Sequence, residues 1–421
     1  MRSLLIGLLA TVLALTACTS TPDATTTTDT TANTPSSSSV PSGPASTAGD
    51  PMAASIAALI EQQMTDQHLR AVLVKVTRGH TTVLEKAFGE SLDGVPASTD
   101  MHFRNGAVAF AYLGTLLMLF VEQGKVGLDD TIDRWLPDLP ESDAVTLKML
   151  ANQTSGYPDY ETDPDWTTAF NLDPYAAQTF ESRIDYTFRR PVQFAPGKNW
   201  SYSHTNFMIL GEILAKIGGR PLDELLSVNV LQPMGLTNTT ATDTADLPAP
   251  VLHSFSSERR VTLGIPAGAP FYEDSTYFNS MWGVPPGANQ STTVDDLVTT
   301  ATAVGTGALL SAESYDTMTG PHLLGFGKKE KACEPTCFTQ IPAYNYGLGI
   351  VRSGDWILQN PLLGGYSATA AYLPEQRIAI AVAVTYLPGA FDDQGIEPNS
   401  ADQLFRMIST VVAPDAAAPM K

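Results

Sequence analysis

Apolar positions change their spacing several times along this chain. Residues 4–14 form one apolar run, too short to cross a bilayer and stay there. Residues 19–50 hold almost nothing apolar. From Pro51 the pattern becomes that of a folded domain. Ile56, Leu59 and Ile60 stand at helical spacing behind Pro51, which suits a first helical turn. Residues 71–77 and 81–88 read as strands joined by Arg78-Gly79-His80, a hairpin with His80 as a solvated turn residue. Residues 107–123 place Leu113, Leu116, Leu117, Phe120 and Val121 at i, i+3, i+4, i+7 and i+8. That spacing predicts a buried helix with one apolar stripe, stopped by Gly124. Residues 129–309 are helical in pieces, broken by Pro and Gly loops and without an internal repeat. Residues 356–359, 368–373 and 377–386 return to strand character. The last contains Ile378 to Val384, the unbroken apolar run of a central strand. Residues 402–412 form a closing helix, and 413–421 are expected to fray. With strands at both chain ends and helices between, the simplest packing is an α/β (α+β) domain. One sheet is built from both termini, and an all-α lobe is inserted.

Composition adds a location. Arg2 precedes the first apolar run, and Leu15-Thr16-Ala17-Cys18 follows it. That tetrapeptide resembles a bacterial lipobox, so residues 1–18 are expected to be a lipoprotein signal peptide and Cys18 the lipid anchor. More than half of residues 19–50 are Ser or Thr, with Pro22, Pro35, Pro41 and Pro44 among them. Such a segment cannot bury enough to fold and is expected to be a disordered tether. The folded domain is then expected over 51–412, with 413–421 as a tail. The formal charge of −20 and a pI near 4.5 argue against nucleic acid and against docking through a basic patch. Membrane attachment would come from the lipid, through more than one acyl chain.

Besides Cys18, the cysteines are Cys333 and Cys337, flanking Glu334-Pro335-Thr336. In an oxidising compartment they are expected to pair, closing a loop too short to stabilise the whole fold much. They lack a second pair for a metal. The six histidines (68, 80, 102, 204, 253 and 322) stand singly, so no metal centre and no cofactor are expected.

A series of motifs then occurs in one order: Phe103-Arg104-Asn105-Gly106; Val121-Glu122-Gln123-Gly124-Lys125-Val126-Gly127-Leu128-Asp129-Asp130; Trp135-Leu136-Pro137; Met149-Leu150-Ala151-Asn152-Gln153-Thr154-Ser155-Gly156-Tyr157; Pro196-Gly197; Tyr202-Ser203-His204-Thr205-Asn206-Phe207; and Gly365-Tyr366. Over residues 51–388 the chain resembles the serine β-lactamase and D-alanyl-D-alanine carboxypeptidase-like family, in its branch of class C β-lactamases and related esterases. The resemblance implies the β-lactamase/transpeptidase-like fold, with an antiparallel sheet flanked by helices. It also implies a chemistry: a Ser nucleophile, a Lys one helical turn later, a Tyr-x-Asn pair, a Lys or His triad on an edge strand, and an oxyanion hole of backbone N–H groups.

Position by position, that machinery is eroded. The Ser falls on Ala107 and the Lys on Phe110. Losing the nucleophile alone costs serine hydrolases on the order of a millionfold in turnover. Tyr202 is kept, but the Asn is His204, either a replacement base or ligand contact, or a drifted residue. The third motif reads Gln359-Asn360-Pro361, to within a residue or two, without its cation. Backbone N–H groups of Ala107 and Leu362 remain available for an oxyanion hole. Ala107, Phe110, Tyr202, His204, Asn360 and Leu362 are therefore the candidate lining of a ligand cleft. Ser155 reads as a turn or cap residue. Ser203 adjoins His204, but neighbours on a strand or helix point different ways, so a working Ser203–His204 pair is not expected; Ser367 follows Tyr366. Three readings follow: a non-catalytic binding or regulatory protein for a cell-wall peptide, small molecule or protein partner; an active hydrolase with an unrecognised nucleophile; or a structural envelope protein with a filled cleft.

Overall fold

The computed structural model describes residues 50–241, 244–279 and 283–420. The expected signal peptide, Cys18 and the tether up to residue 49 lie outside the described residues. The helix Pro51–Asp66 begins where Asp50 accepts the Met52 N–H at 2.9 Å, with Pro51 in the first turn. It buries Ile56 and Ile60 against the first strand and the last helix.

Strands Leu69–Arg78 and Thr81–Leu92 form the expected hairpin, and His80 at its tip is exposed. Among the described residues the main sheet has nine strands, all paired antiparallel. Across the sheet run Val95–Pro96, Thr81–Leu92, Leu69–Arg78, Ile378–Tyr386, Tyr366–Leu373, Trp356–Gln359, Val351–Ser353 and Asn345–Tyr346. Leu362–Leu363 folds back on Tyr366–Leu373. The first strand thus pairs with the last, with Val74 opposite Val382. Every residue of Ile378–Tyr386 is buried. Since neighbouring side chains point to opposite faces, both faces of this strand are covered, and its sequence is accordingly continuous in apolar character. Helices Val294–Thr306 and Ser400–Val412 both pack on it.

The helix Val108–Glu122 is buried on nearly all sides, not on one stripe. Ala109, Tyr112, Gly114, Thr115 and Met118 join the apolar positions read from periodicity. Two glycines allow this. A Cβ on Gly114 would sit 2.2 Å from the Leu348 carbonyl oxygen, and one on Gly349 would sit 2.2 Å from that of Phe110. Backbone meets backbone there, which fixes the first turns of the helix against the sheet side of the domain.

The middle of the chain holds the expected run of helices, among them Pro164–Leu172, Phe180–Thr187 and His204–Gly218. It is not wholly helical. Phe103–Arg104, Gln290–Thr292 and Thr240–Ala241 form a small sheet, and Phe255–Ser256 pairs with Glu273–Asp274. These strands of two or three residues are too short for alternation to reveal.

The C-terminal segment is packed, contrary to expectation. Trp356 Nε1 donates to Ala416 O at 2.8 Å, Ala418 N donates to Ser409 Oγ at 2.9 Å, and Arg406 Nη1 donates to Pro419 O. The partners Trp356, Arg406 and Ser409 sit on the sheet and the closing helix, so only the assembled fold reveals what holds this segment. Cys333 and Cys337 form a disulfide with Cα atoms 5.5 Å apart. Its turn lies against the segment before His204: Thr336 O accepts the Tyr202 N–H at 3.2 Å, and Lys328 O accepts from Asn199 Nδ2 at 3.1 Å.

Candidate functional site

A cavity of about 340 Å³ opens between the helical lobe and the Leu362–Leu363 edge of the sheet. Its walls include Ala107, Glu161, Tyr202, His204, Gln359 and Leu362. Ala107 caps the N-terminus of Val108–Glu122 without a side-chain hydrogen bond, and the N–H groups of Val108, Ala109 and Phe110 donate instead to the carbonyls of Asn105, Gly106 and Ala107. Before it, Gly106 takes φ +49, and a Cβ there would lie 2.8 Å from Leu363 and 2.9 Å from Pro361. A bare backbone is needed where the chain turns into the helix beside the edge hairpin.

Of the residues expected to line the cleft, Ala107, Tyr202, His204, Asn360 and Leu362 do. Phe110 does not. Its side chain is 0 % exposed and stacks on Phe207, ring centroids 3.9 Å apart and planes within 6°. It stands behind the wall, in edge contact with the His204 ring at 6.1 Å and near Tyr202 at 6.5 Å. An apolar ring gains more from this contact than from the cavity, so it packs inward. Gln359 donates to Gly349 O at 2.6 Å, and Asn360 donates to Asp402 Oδ1 at 3.0 Å. Both amides are engaged by the fold. Ser155 Oγ donates to Asn206 and accepts the Tyr157 N–H, as a turn residue does. Ser203 is fully buried, and Ser367 Oγ accepts from Tyr386 Oη and Ala401 N. None of these three serines lines the cavity.

Residues that the motif reading passed over complete the polar side. His204 Nδ1 lies 2.9 Å from Asp159 Oδ2 and 3.1 Å from Glu161 Oε2. Its Nε2 lies 3.5 Å from Tyr202 Oη. The only hint in the sequence was two carboxylates flanking Tyr160, just after Ser155-Gly156-Tyr157; nothing local joins them to a residue forty-five positions on. Burial works against the charge on His204, but Glu161 and Asp159 outweigh it and push its pKa up to about 9. Burial also lifts Glu161, helped by Asp159 and opposed by His204 and Arg183, to about 8. Burial holds the Tyr202 hydroxyl well above its ordinary range. At neutral pH His204 is thus an imidazolium held by the Asp159 carboxylate, beside a Glu161 shifted toward its neutral acid. It opens the helix His204–Gly218, whose N-terminus favours the anions and disfavours the imidazolium.

Asp159, Glu161 and His204 are also the one group among the described residues whose ligand atoms fall within 4.8 Å of each other, so His204 does not stand singly in space. Nδ1 faces both acids, hydrogen-bonded to Asp159 Oδ2 and within ion-pair reach of Glu161 Oε2. Glu161 Oε1 is different: it is buried and has no hydrogen-bond partner among the described residues. Gly283 lies beside it, where a Cβ would come within 3.3 Å of Oε1 and 3.6 Å of His204 Nε2.

A family model described as Beta-lactamase matches residues 56–409. The chain belongs to the beta-lactamase family. Among curated members, a putative D-alanyl-D-alanine carboxypeptidase of Escherichia coli is 26 % identical over 162 residues, 37 % of this chain and 35 % of that protein. Esterase EstB of Burkholderia gladioli is 26 % identical over 200 residues, 44 % of this chain and 50 % of the esterase. These alignments span a third to a half of those relatives. Among solved structures, D-amino acid amidase from Ochrobactrum anthropi superposes with a TM-score of 0.70 at 21 % identity, covering 86 % of this chain and 99 % of the amidase. The beta-lactamase fold is therefore shared over nearly the whole described chain, with an antiparallel sheet flanked by helices.

Proposed function

We propose that this protein is a lipid-anchored, extracytoplasmic member of the beta-lactamase family that binds a ligand in the old catalytic cleft without acyl transfer. Residues 1–18 would direct export, Cys18 would carry the lipid, and 19–50 would hold the domain away from the membrane.

The observation that carries the reading is Phe110. Where the family's proton-shuttling amine should enter the cavity, a fully buried ring is stacked on Phe207. Together with Ala107, this makes the loss of chemistry part of the core and not a single missing atom. The cavity of about 340 Å³ argues against a filled cleft. Its character suits a small amino-acid or peptide ligand. Glu161 Oε1 has no hydrogen-bond partner among the described residues, and a polar group of such a ligand would supply one. Such ligands agree with the names of the similar proteins, a D-amino acid amidase and a putative D-alanyl-D-alanine carboxypeptidase.

One observation favours a second reading, an active hydrolase. Asp159, His204 and Tyr202 lie in a hydrogen-bonding row, which would draw the proton from Tyr202 only where His204 is neutral, at pH above about 9. Two measurements decide. Incubation with a penicillin and with a fluorophosphonate is expected to leave the intact mass unchanged; a stoichiometric adduct, on Tyr202 or elsewhere, would overturn the binding reading. Thermal melting with D-amino acid amides and cell-wall stem peptides should rise. A ligand at a hundred times its Kd adds about 2.7 kcal/mol. The rise should vanish in Glu161→Gln, and no rise with any of them would return the cleft to a structural role.

A further inference from the structure

Arg104 belongs to the Phe103-Arg104-Asn105-Gly106 motif, yet it does not line the main cavity. It is 2 % exposed. Nη2 donates to Ala245 O at 2.6 Å, while Nε and Nη1 are buried with no hydrogen-bond partner among the described residues. No carboxylate among those residues is within 4 Å of the guanidinium. Arginine does not escape burial by losing its proton, so an isolated buried guanidinium is among the costliest groups a fold can hold.

Beside it lies a void of about 20 Å³, also lined by Glu258, Ser275, Thr276, Gly364 and Tyr366. That is room for one water-sized occupant. The hydroxyl protons around it are already committed: Ser275 Oγ donates to Gly364 O at 2.6 Å, Tyr366 Oη donates to Leu252 O at 2.6 Å, and Thr276 Oγ1 donates to Ser254 O at 3.3 Å. The uncommitted donors are the Nε and Nη1 groups of Arg104 and, in its neutral form, the carboxyl of Glu258. Glu258 does not neutralise Arg104. Burial and the nearby Glu397 push its carboxyl up to about 8, toward the neutral form. Water would satisfy the N–H groups and leave the charge.

We propose that the void holds a small monovalent inorganic anion, a halide such as chloride, against Nε and Nη1 of Arg104. Leu363 lines both this void and the main cavity, and Ser275 ties the void to Gly364 in the same hairpin. An anion here steadies the hairpin that forms one wall of the cleft.

The test is thermal melting in sodium chloride and sodium bromide against sodium gluconate at equal ionic strength. In the native protein the halides are expected to raise Tm by several degrees and to saturate, while Arg104→Gln gives the same Tm in all three salts. Equal melting of the native protein in every salt, or an undiminished halide rise in Arg104→Gln, overturns the proposal. Should that variant not fold, crystals of the native protein grown in bromide decide. An anomalous peak against Arg104 supports the site, and a peak-free void or a water there refutes it.

Discussion

Replacing Phe110 by lysine restores the residue type of the family's proton shuttle, and the packing predicts that it damages the fold first. The ring is fully buried and stacked face to face on Phe207 at 3.9 Å. Removing such a ring costs about 3–5 kcal/mol, including its aromatic contact. An ammonium in its place would stand about 6 Å from the imidazolium of His204. At an effective dielectric constant of about 20, two unit charges at that distance repel by roughly 3 kcal/mol. Asp159 and Glu161 offset part of this, so the ring dominates, and Phe110→Lys should lose about 4 kcal/mol. For a domain this large each kcal/mol moves Tm by roughly 2 °C, so the midpoint should fall by about 8 °C. Ala107→Ser, on the cavity wall, should cost under about 0.5 kcal/mol. The assay is calorimetric melting of both variants and of the pair, followed by intact-mass analysis after fluorophosphonate. The double variant is expected to stay unlabelled. A Phe110→Lys midpoint within about 2 °C of the native one would refute the packing argument. One-to-one labelling of the pair would show that the rest of the machinery survived.

Three further outcomes are expected. Because the folded pKa of His204 is raised, its ion pairs stabilise the fold fully below pH about 6.5 and lose that effect as pH rises through about 9; the raised pKa of Glu161 acts in the same direction. Denaturant midpoints should therefore fall between pH 7 and 9.5, and a His204 ring titrating below pH 6.5 by NMR would contradict the cluster. Cys333→Ser with Cys337→Ser should cost about 2 kcal/mol through the short loop it opens. Its mark should be faster hydrogen exchange at the Tyr202 amide, whose acceptor is Thr336 in that loop; unchanged exchange there would remove the disulfide from the site. Deleting residues 414–421 removes three hydrogen bonds, from Trp356, Arg406 and Ala418, each worth about 1 kcal/mol. A deletion that leaves the urea midpoint in place would show the segment to be idle.

Elements with a strong period were readable before the fold was known. The strand Ile378–Tyr386 announced its burial by carrying no polar position until Thr385. The turn at Arg78-Gly79-His80 and the helix after Gly106 stood within a residue or two of their observed limits, although the second hairpin strand runs on to Leu92, four residues past its expected end. The short strands around Phe103, Gln290 and Phe255 escaped notice because two residues carry no period. The candidate site divides in the same way. Ala107, Tyr202, His204, Asn360 and Leu362 were reached by position within motifs, and they do meet around one cavity. Phe110 was placed in the cavity by the same counting, yet its chemistry sends it the other way. A lysine would reach for polar partners, whereas a phenyl ring takes the apolar neighbour Phe207.

What the sequence determined by itself is therefore the framework and the missing groups. No packing supplies a hydroxyl at Ala107 or an amine at Phe110. What it left undecided is what stands in their place. His204 became an imidazolium only because the fold brings Asp159 and Glu161 to its Nδ1. Arg104 became an unneutralised charge because the small sheet buries it with no carboxylate in ion-pair contact among the described residues. Charge states of buried groups are set by neighbours in space and by exclusion of water, and neither is written along the chain.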